Sequence, residues 1–312
     1  MLHEIEFSSS NGRDTVVGWI YAPACPPRGI VQLIHGFGEH SRRYLHMIVA
    51  LMDAGYIVAA NDHVGHGATA IKNNTWGDWG DAGFRTMMED EHLFKQEVEK
   101  IYPDLPYILF GHSMGSMIAR DFSAKYGEEL CAAVYCGTPG IFKMTHEVLE
   151  KLDAVIAEGG AHDADPAYVG ELMGWMFARC EEGATLGNEW ICHDPYVQKD
   201  HAGDPFDAFT HPCHNISLKY FIEMLLCIEG EEWAAKVPKE LPIYIIGGDQ
   251  DPVGSFGTGM YLCANWLIDT GHEDVITHLY SGYRHEIHNY DELKDDVEEG
   301  IIDFIDECVA FA

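Results

Sequence analysis

Short, uninterrupted apolar runs recur along this chain, separated by longer stretches in which apolar residues return every three or four positions. Ile30–Ile34, Tyr56–Ala60, Tyr107–Phe110, Ala132–Cys136, Pro242–Ile246 and Val275–Tyr280 are runs of the first kind, suited to strands buried on both faces of a parallel sheet. Arg43–Ala54, Phe84–Ile101, Ser116–Tyr126, Thr258–Thr270 and Asp291–Val309 are of the second kind and predict helices. Ahead of them, His3–Phe7 and Thr15–Tyr21 alternate partially around Ser-Ser-Ser-Asn-Gly and read as a hairpin. Strand and helix in alternation predict a doubly wound, mostly parallel α/β sheet with right-handed crossovers.

One region breaks the rhythm. Between Ile141 and Val237 no clear strand occurs, while Thr145–Glu158 and Tyr168–Cys180 are amphipathic. Ordinary crossovers of a larger sheet would also be helical, but so long a stretch without a strand favours an insertion. The expected organisation is therefore a core of residues 1–140 and 238–312 with a helical cap, residues 141–237, inserted between two strands.

Hydrophobic residues make up 47% and charged residues 22% of the 312 positions, which suits an ordinary globular protein rather than a disordered one. The formal net charge of −32 disfavours nucleic acid and anionic membrane surfaces as partners, and otherwise speaks to solubility. No stretch approaches the ~20 apolar residues of a membrane span, so no stable membrane insertion is expected. The opening Met-Leu-His-Glu-Ile-Glu-Phe lacks a basic and an apolar region, so no signal peptide is predicted. The nine cysteines are odd in number and form no CxxC pair, which favours reduced thiols and a cytoplasmic location.

The sharpest chemical signal is Gly111-His112-Ser113-Met114-Gly115, placed between the run Tyr107–Phe110 and a helical pattern. A Gly-x-Ser-x-Gly turn from strand to helix is a nucleophile elbow, too tight for side chains at its flanks. Ser113 is the candidate nucleophile. Acyl transfer also needs two amides aimed at the developing oxyanion, one after the nucleophile and one from an earlier loop. Met114 supplies the first, and Phe37, in His35-Gly36-Phe37-Gly38 after the run Ile30–Ile34, the second. A plain glycine turn would explain the second motif equally well on its own; beside the elbow, the oxyanion reading prevails.

Where such an elbow is set in a parallel α/β sheet, the chain order is Ser, then acid, then His. The loop Gly247–Gly254 offers two carboxylates, Asp251 and Asp249; either could be the acid, the other capping the following helix. After Tyr280 come His285, the candidate base, and its rival His288, three residues further from the strand end. Asn61–Gly67 reads as a supporting turn. The pairs Cys192-His193 and His211-Pro-Cys213-His214 match no standard zinc spacing, so no metal and no organic cofactor are expected. Trp175, Met176, Phe177, Trp190, Phe206, Phe209, Tyr220, Phe221, Met224 and Leu225 could supply both cap core and an apolar acyl pocket.

Taken together, "HGFGEHSRRY", "NDHVGHGAT", "GHSMGS", "GGDQDPVG" and "GYRHEIHN" resemble the lysophospholipase and monoacylglycerol-lipase branch of the α/β-hydrolases, sometimes grouped with serine aminopeptidases of S33 type. The likeness covers residues from about Ile30 to Met117 and from about Leu241 onward, and is weak across the cap. It implies the α/β-hydrolase fold with Ser113, Asp251 and His285 as triad and Phe37 and Met114 as oxyanion amides. Family members often carry Arg where this chain has Val64, a departure away from the proposed chemistry. The activity implied is hydrolysis of a small-molecule ester or lipid, as a carboxylesterase or a monoacylglycerol or lysophospholipid lipase. Two alternatives stand beside it: an amidase or aminopeptidase holding a substrate amine with Glu181, Glu182 or Asp194, and a hydrolase-like binding protein without turnover. A homodimer stays open.

Overall fold

The computed structural model describes residues 1–180, 184–207 and 211–310. Glu181, Glu182 and Phe209, expected in the cap, lie outside the described residues. The predicted hairpin forms from β1 (Leu2–Ser8) and β2 (Thr15–Tyr21), paired antiparallel. There follow β3 (Ile30–Ile34), α1 (Leu45–Asp53), β4 (Ile57–Asp62), α2 (Gly67–Asn73), α3 (Thr86–Ile101), β5 (Tyr107–His112), α4 (Met114–Tyr126) and β6 (Ala132–Cys136). After a helical segment come β7 (Ile243–Gly248), α10 (Thr258–Asp269), β8 (Val275–Tyr280) and α11 (Lys294–Ala310). Among the described residues one eight-stranded sheet forms, in the order β1-β2-β4-β3-β5-β6-β7-β8. It is parallel from β4 onward.

The period of two in a strand divides the inner residues between two apolar layers. Ile30, Ile34 and Leu109 join Phe94, Met117, Phe122 and Leu267 from α3, α4 and α10. Val31, Leu33, Ile108 and Phe110 join Ile48, Leu51, Val297 and Ile301 from α1 and α11. Burying each such side chain stabilises the fold by about 1.5–3 kcal/mol. One expected strand differs. Val275–Tyr280 is not buried on both faces: β8 is the sheet edge, and His278 and Ile276 face outward.

Between β6 and β7 lie α5 (Thr145–Ala157), α6 (Pro166–Phe177), α7 (Pro195–Gly203), α8 (Asn215–Cys227) and α9 (Gly230–Ala234), with no strand among the described residues. Helices α6 and α7 start on the same signal. Asp165 and Asp194 accept the amides of Ala167 and Tyr196 at 2.9 and 2.8 Å, and a proline fills the first helical position, where no amide partner is needed. The capping Asp-Pro pair moves α6 earlier than the expected start at Tyr168. Helix α8 is buried along most of its length and packs on α4 and α5. Its Leu218, Phe221 and Leu225, with Val148, Leu152, Leu172 and Met176, belong to the same apolar cluster as the sheet's Ile34 and Leu109.

Candidate active site

Ser113 sits between β5 and α4 with φ 55° and ψ −121°, a left-handed backbone that costs a non-glycine residue about 1–3 kcal/mol. The turn is closed so tightly that a Cβ on Gly111 would lie 2.2 Å from the Gly115 carbonyl oxygen, and one on Gly115 2.0 Å from that of Ile34. Glycine is required at both. The strain is held by the Ser113 amide donating to the Cys136 carbonyl at 2.9 Å and by the Ser116 hydroxyl donating to the Ser113 carbonyl at 2.6 Å. Met114 is the first residue of α4, where amides have no partner within the helix.

The loops after β7 and β8 bring Asp251 and His285 together, both buried, with His285 Nδ1 2.9 Å from Asp251 Oδ2. The second carboxylate oxygen accepts the Val253 amide at 2.8 Å. With Nδ1 donating to the carboxylate, Nε2 presents a lone pair, and that atom has no hydrogen-bond partner. Burial opposes charge on His285, but the Asp251 carboxylate outweighs it by its charge and its hydrogen bond, so the imidazole lies above its ordinary pKa. Asp249 turns elsewhere, accepting from the Ser281 hydroxyl and the Gly282 amide, each at 2.7 Å. His288 is buried against Tyr44, ring centroids 4.8 Å apart.

Gly36 touches the elbow: a Cβ there would stand 3.0 Å from Ser113 Cβ. Phe37 thus lies beside Ser113, its ring edge-on to Phe221 and Trp79. Sequence reasoning passed over the support beneath this loop. Glu39 Oε1 accepts the Gly36 amide and the Tyr44 hydroxyl, each at 2.6 Å, and its other oxygen pairs with Arg43 at 3.1 Å. Burial would raise Glu39, yet His112 and Arg43 hold its carboxyl well below the usual range. Arg43 also pairs with Glu286, next to His285. The signal was present in "HGFGEHSRRY": a Glu three residues after the glycine, with Arg four further on. The Asn61–Gly67 turn supports the same loop, since the His63 amide donates to His35 Nε2 and Asp62 accepts from Ser41.

A cavity of about 360 Å³ opens beside Ser113, within the range of small-molecule sites. Phe37, Trp79, Met173, Phe177, Trp190 and Phe221 are among its walls. Trp190 stacks on Phe177 and stands 5.2 Å from the His285 ring. Met176, Tyr220, Met224 and Leu225 are core, Trp175 is partly exposed, and Phe206 packs on Arg42. Asp194 caps α7 and lines a different groove. Cys192 and His193 lie against Tyr290, whereas His211 stacks on Trp76, so the two Cys/His pairs do not converge.

The sheet order and the elbow define an α/β-hydrolase. The chain belongs to the serine aminopeptidase, S33, family, which matches residues 25–292. It is similar to the monoacylglycerol lipase of Mycolicibacterium smegmatis, 28% identical over 91% of each chain. It is also similar to a solved, highly thermostable carboxyl esterase from Bacillus coagulans in complex with glycerol, 54% identical over 99% of each chain with a TM-score of 0.96. A solved lipase in an open form is 38% identical over 99% of each chain, with a TM-score of 0.91.

Proposed function

We propose that this protein is a serine hydrolase of monoacyl esters, in which Ser113 is the nucleophile, His285 the base and Asp251 the acid. The observation that carries the reading is the apolar cavity opening on Ser113 in a fold that also buries the His285–Asp251 pair. Ser113 Oγ attacks the ester carbonyl as its proton passes to His285 Nε2. The carbonyl oxygen, now negative, is held by the amides of Phe37 and Met114. The C–O bond breaks, the alcohol leaves with the proton from His285, and the acyl group stays on Ser113. Water, deprotonated by His285, attacks the acyl-enzyme; the acid departs and Ser113 recovers its proton.

Residues 141–237 act as the cap, supplying Met173, Phe177, Trp190 and Phe221 to the wall that takes the acyl chain. Among the described residues lining the cavity none is a carboxylate, which favours esters over substrates with a free amine. The similarity to a monoacylglycerol lipase and a carboxyl esterase supports the same choice. Hydrolysis of p-nitrophenyl esters of increasing acyl length, set against aminoacyl arylamides, tests it. Faster turnover of the esters with a medium or long acyl optimum is expected. Arylamide turnover without ester turnover would overturn the ester assignment.

A further inference from the structure

Where the segment after α7 meets the turn after β3, His40, Asp204 and Asp207 bring one ligand-type atom each to within 4.8 Å of one another. His40 Nε2 lies 2.9 Å from Asp204 Oδ2, and the other Asp204 oxygen accepts the Phe206 amide at 2.8 Å. Asp207 is only 1% exposed, yet neither of its carboxylate oxygens has a hydrogen-bond donor. His40 Nδ1, also buried, has no partner either. The nearest imidazole nitrogen to Asp207, His201 Nε2, is 3.8 Å away, beyond hydrogen-bond reach.

The local charge does not balance. Two arginines face this region: Arg43 is engaged by both Glu39 and Glu286 at 3.1 and 2.6 Å, and Arg42, stacked on Phe206, pairs with Asp62 at 3.2 Å. Asp204 and Asp207 are left with His40 and His201. A carboxylate buried without a donor is costly. A metal ion would remove that cost by direct coordination.

We propose that His40, Asp204 and Asp207 form a binding site for a divalent transition cation of the zinc or manganese kind, separate from Ser113. Two carboxylate oxygens and one imidazole nitrogen suit zinc, a borderline ion, and manganese, a harder one, with water completing the coordination. The other side-chain clusters are less suitable. In Asp78, His162 and His214, Arg13 already occupies Asp78 Oδ2 at 2.7 Å. In His112, Cys136 and His288, burial raises the thiol well above its usual range, against the thiolate a metal needs. An ion at His40 would fasten the segment after α7 to the loop of Phe37, three residues away.

The test uses the full chain, stripped with a chelator and titrated with Co2+, whose visible absorption reports coordination, then with Zn2+ in competition. One Co2+ per chain is expected, displaced by Zn2+. Losing even an outer-shell partner weakens a metal site by about 10–100-fold, so Asp207→Asn and Asp204→Asn should each weaken uptake by at least that much. His162→Ala should leave uptake unchanged. Asp207→Asn should also raise the Tm of the metal-free protein while abolishing the rise that Zn2+ gives wild type. If Asp207→Asn does not fold, the more exposed Asp204→Asn decides. Stripped wild type that binds no ion overturns the site, as does binding undiminished in the foldable Asp variants.

Discussion

Arg43 grips Glu286 with both terminal guanidinium nitrogens, at 2.6 and 3.0 Å, and so fastens the loop of Phe37 to the loop of His285. Removing one partner of a buried pair leaves the other uncompensated, at a cost of about 3–5 kcal/mol. Glu286→Gln is therefore expected to lower Tm by several degrees. It should also lower kcat about tenfold with little change in KM, because the reacting groups lose alignment rather than the substrate losing contacts. The Glu286 charge also helps hold the His285 pKa up, so the midpoint of the kcat/KM profile should fall. A raised KM with wild-type kcat and an unmoved midpoint would remove the positioning role.

The strained backbone of Ser113 separates stability from activity at one position. Ser113→Ala keeps the strain and should lose about 10⁵-fold or more in kcat, together with labelling by a fluorophosphonate. Ser113→Gly relieves it and should unfold at higher temperature than wild type, by about 1 kcal/mol of added stability, while equally inactive. Activity in either variant matching wild type would dismiss Ser113 as nucleophile.

Acting as base, His285 must be neutral, so kcat/KM should rise with pH. Because the Asp251 carboxylate lifts the imidazole, the midpoint should lie above its ordinary 6.5. Asp251→Asn removes that charge; the midpoint should shift down and kcat fall by about 10⁴-fold. A flat profile between pH 5 and 8 would exclude His285.

Met173 stands in the cavity wall on α6, half-buried and away from the His285–Asp251 pair. Met173→Trp should shorten the preferred acyl chain, costing long-chain esters about 10-fold or more in kcat/KM while sparing acetate esters. An unchanged chain-length profile would place the acyl group elsewhere.

The sheet was readable because parallel strands buried on both faces leave uninterrupted apolar runs, as in Ile30–Ile34 and Ala132–Cys136. The edge strand β8 was misjudged in its burial for the opposite reason: one of its faces has no covering layer. Ser113 and the loops of Asp251 and His285 announced themselves through glycine spacing, which records backbone geometry directly. Glu39 and Arg43 did not, since a charged side chain reads as surface until the fold shows its buried partners. Nor could the sequence divide the large apolar side chains between β6 and β7. Phe177 faces the cavity and Met176 the core, although they are neighbours in the chain.

The apolar cluster that runs unbroken from the sheet through α8 also bears on engineering. Helices α5–α9 are therefore not expected to exchange between relatives as a detachable module. A chimera that imports a foreign insertion inherits side chains shaped for another α4, so it must bring the matching residues of that helix with it. Substrate range in this scaffold should therefore be altered wall residue by wall residue, not by exchanging the helices between β6 and β7 as a block.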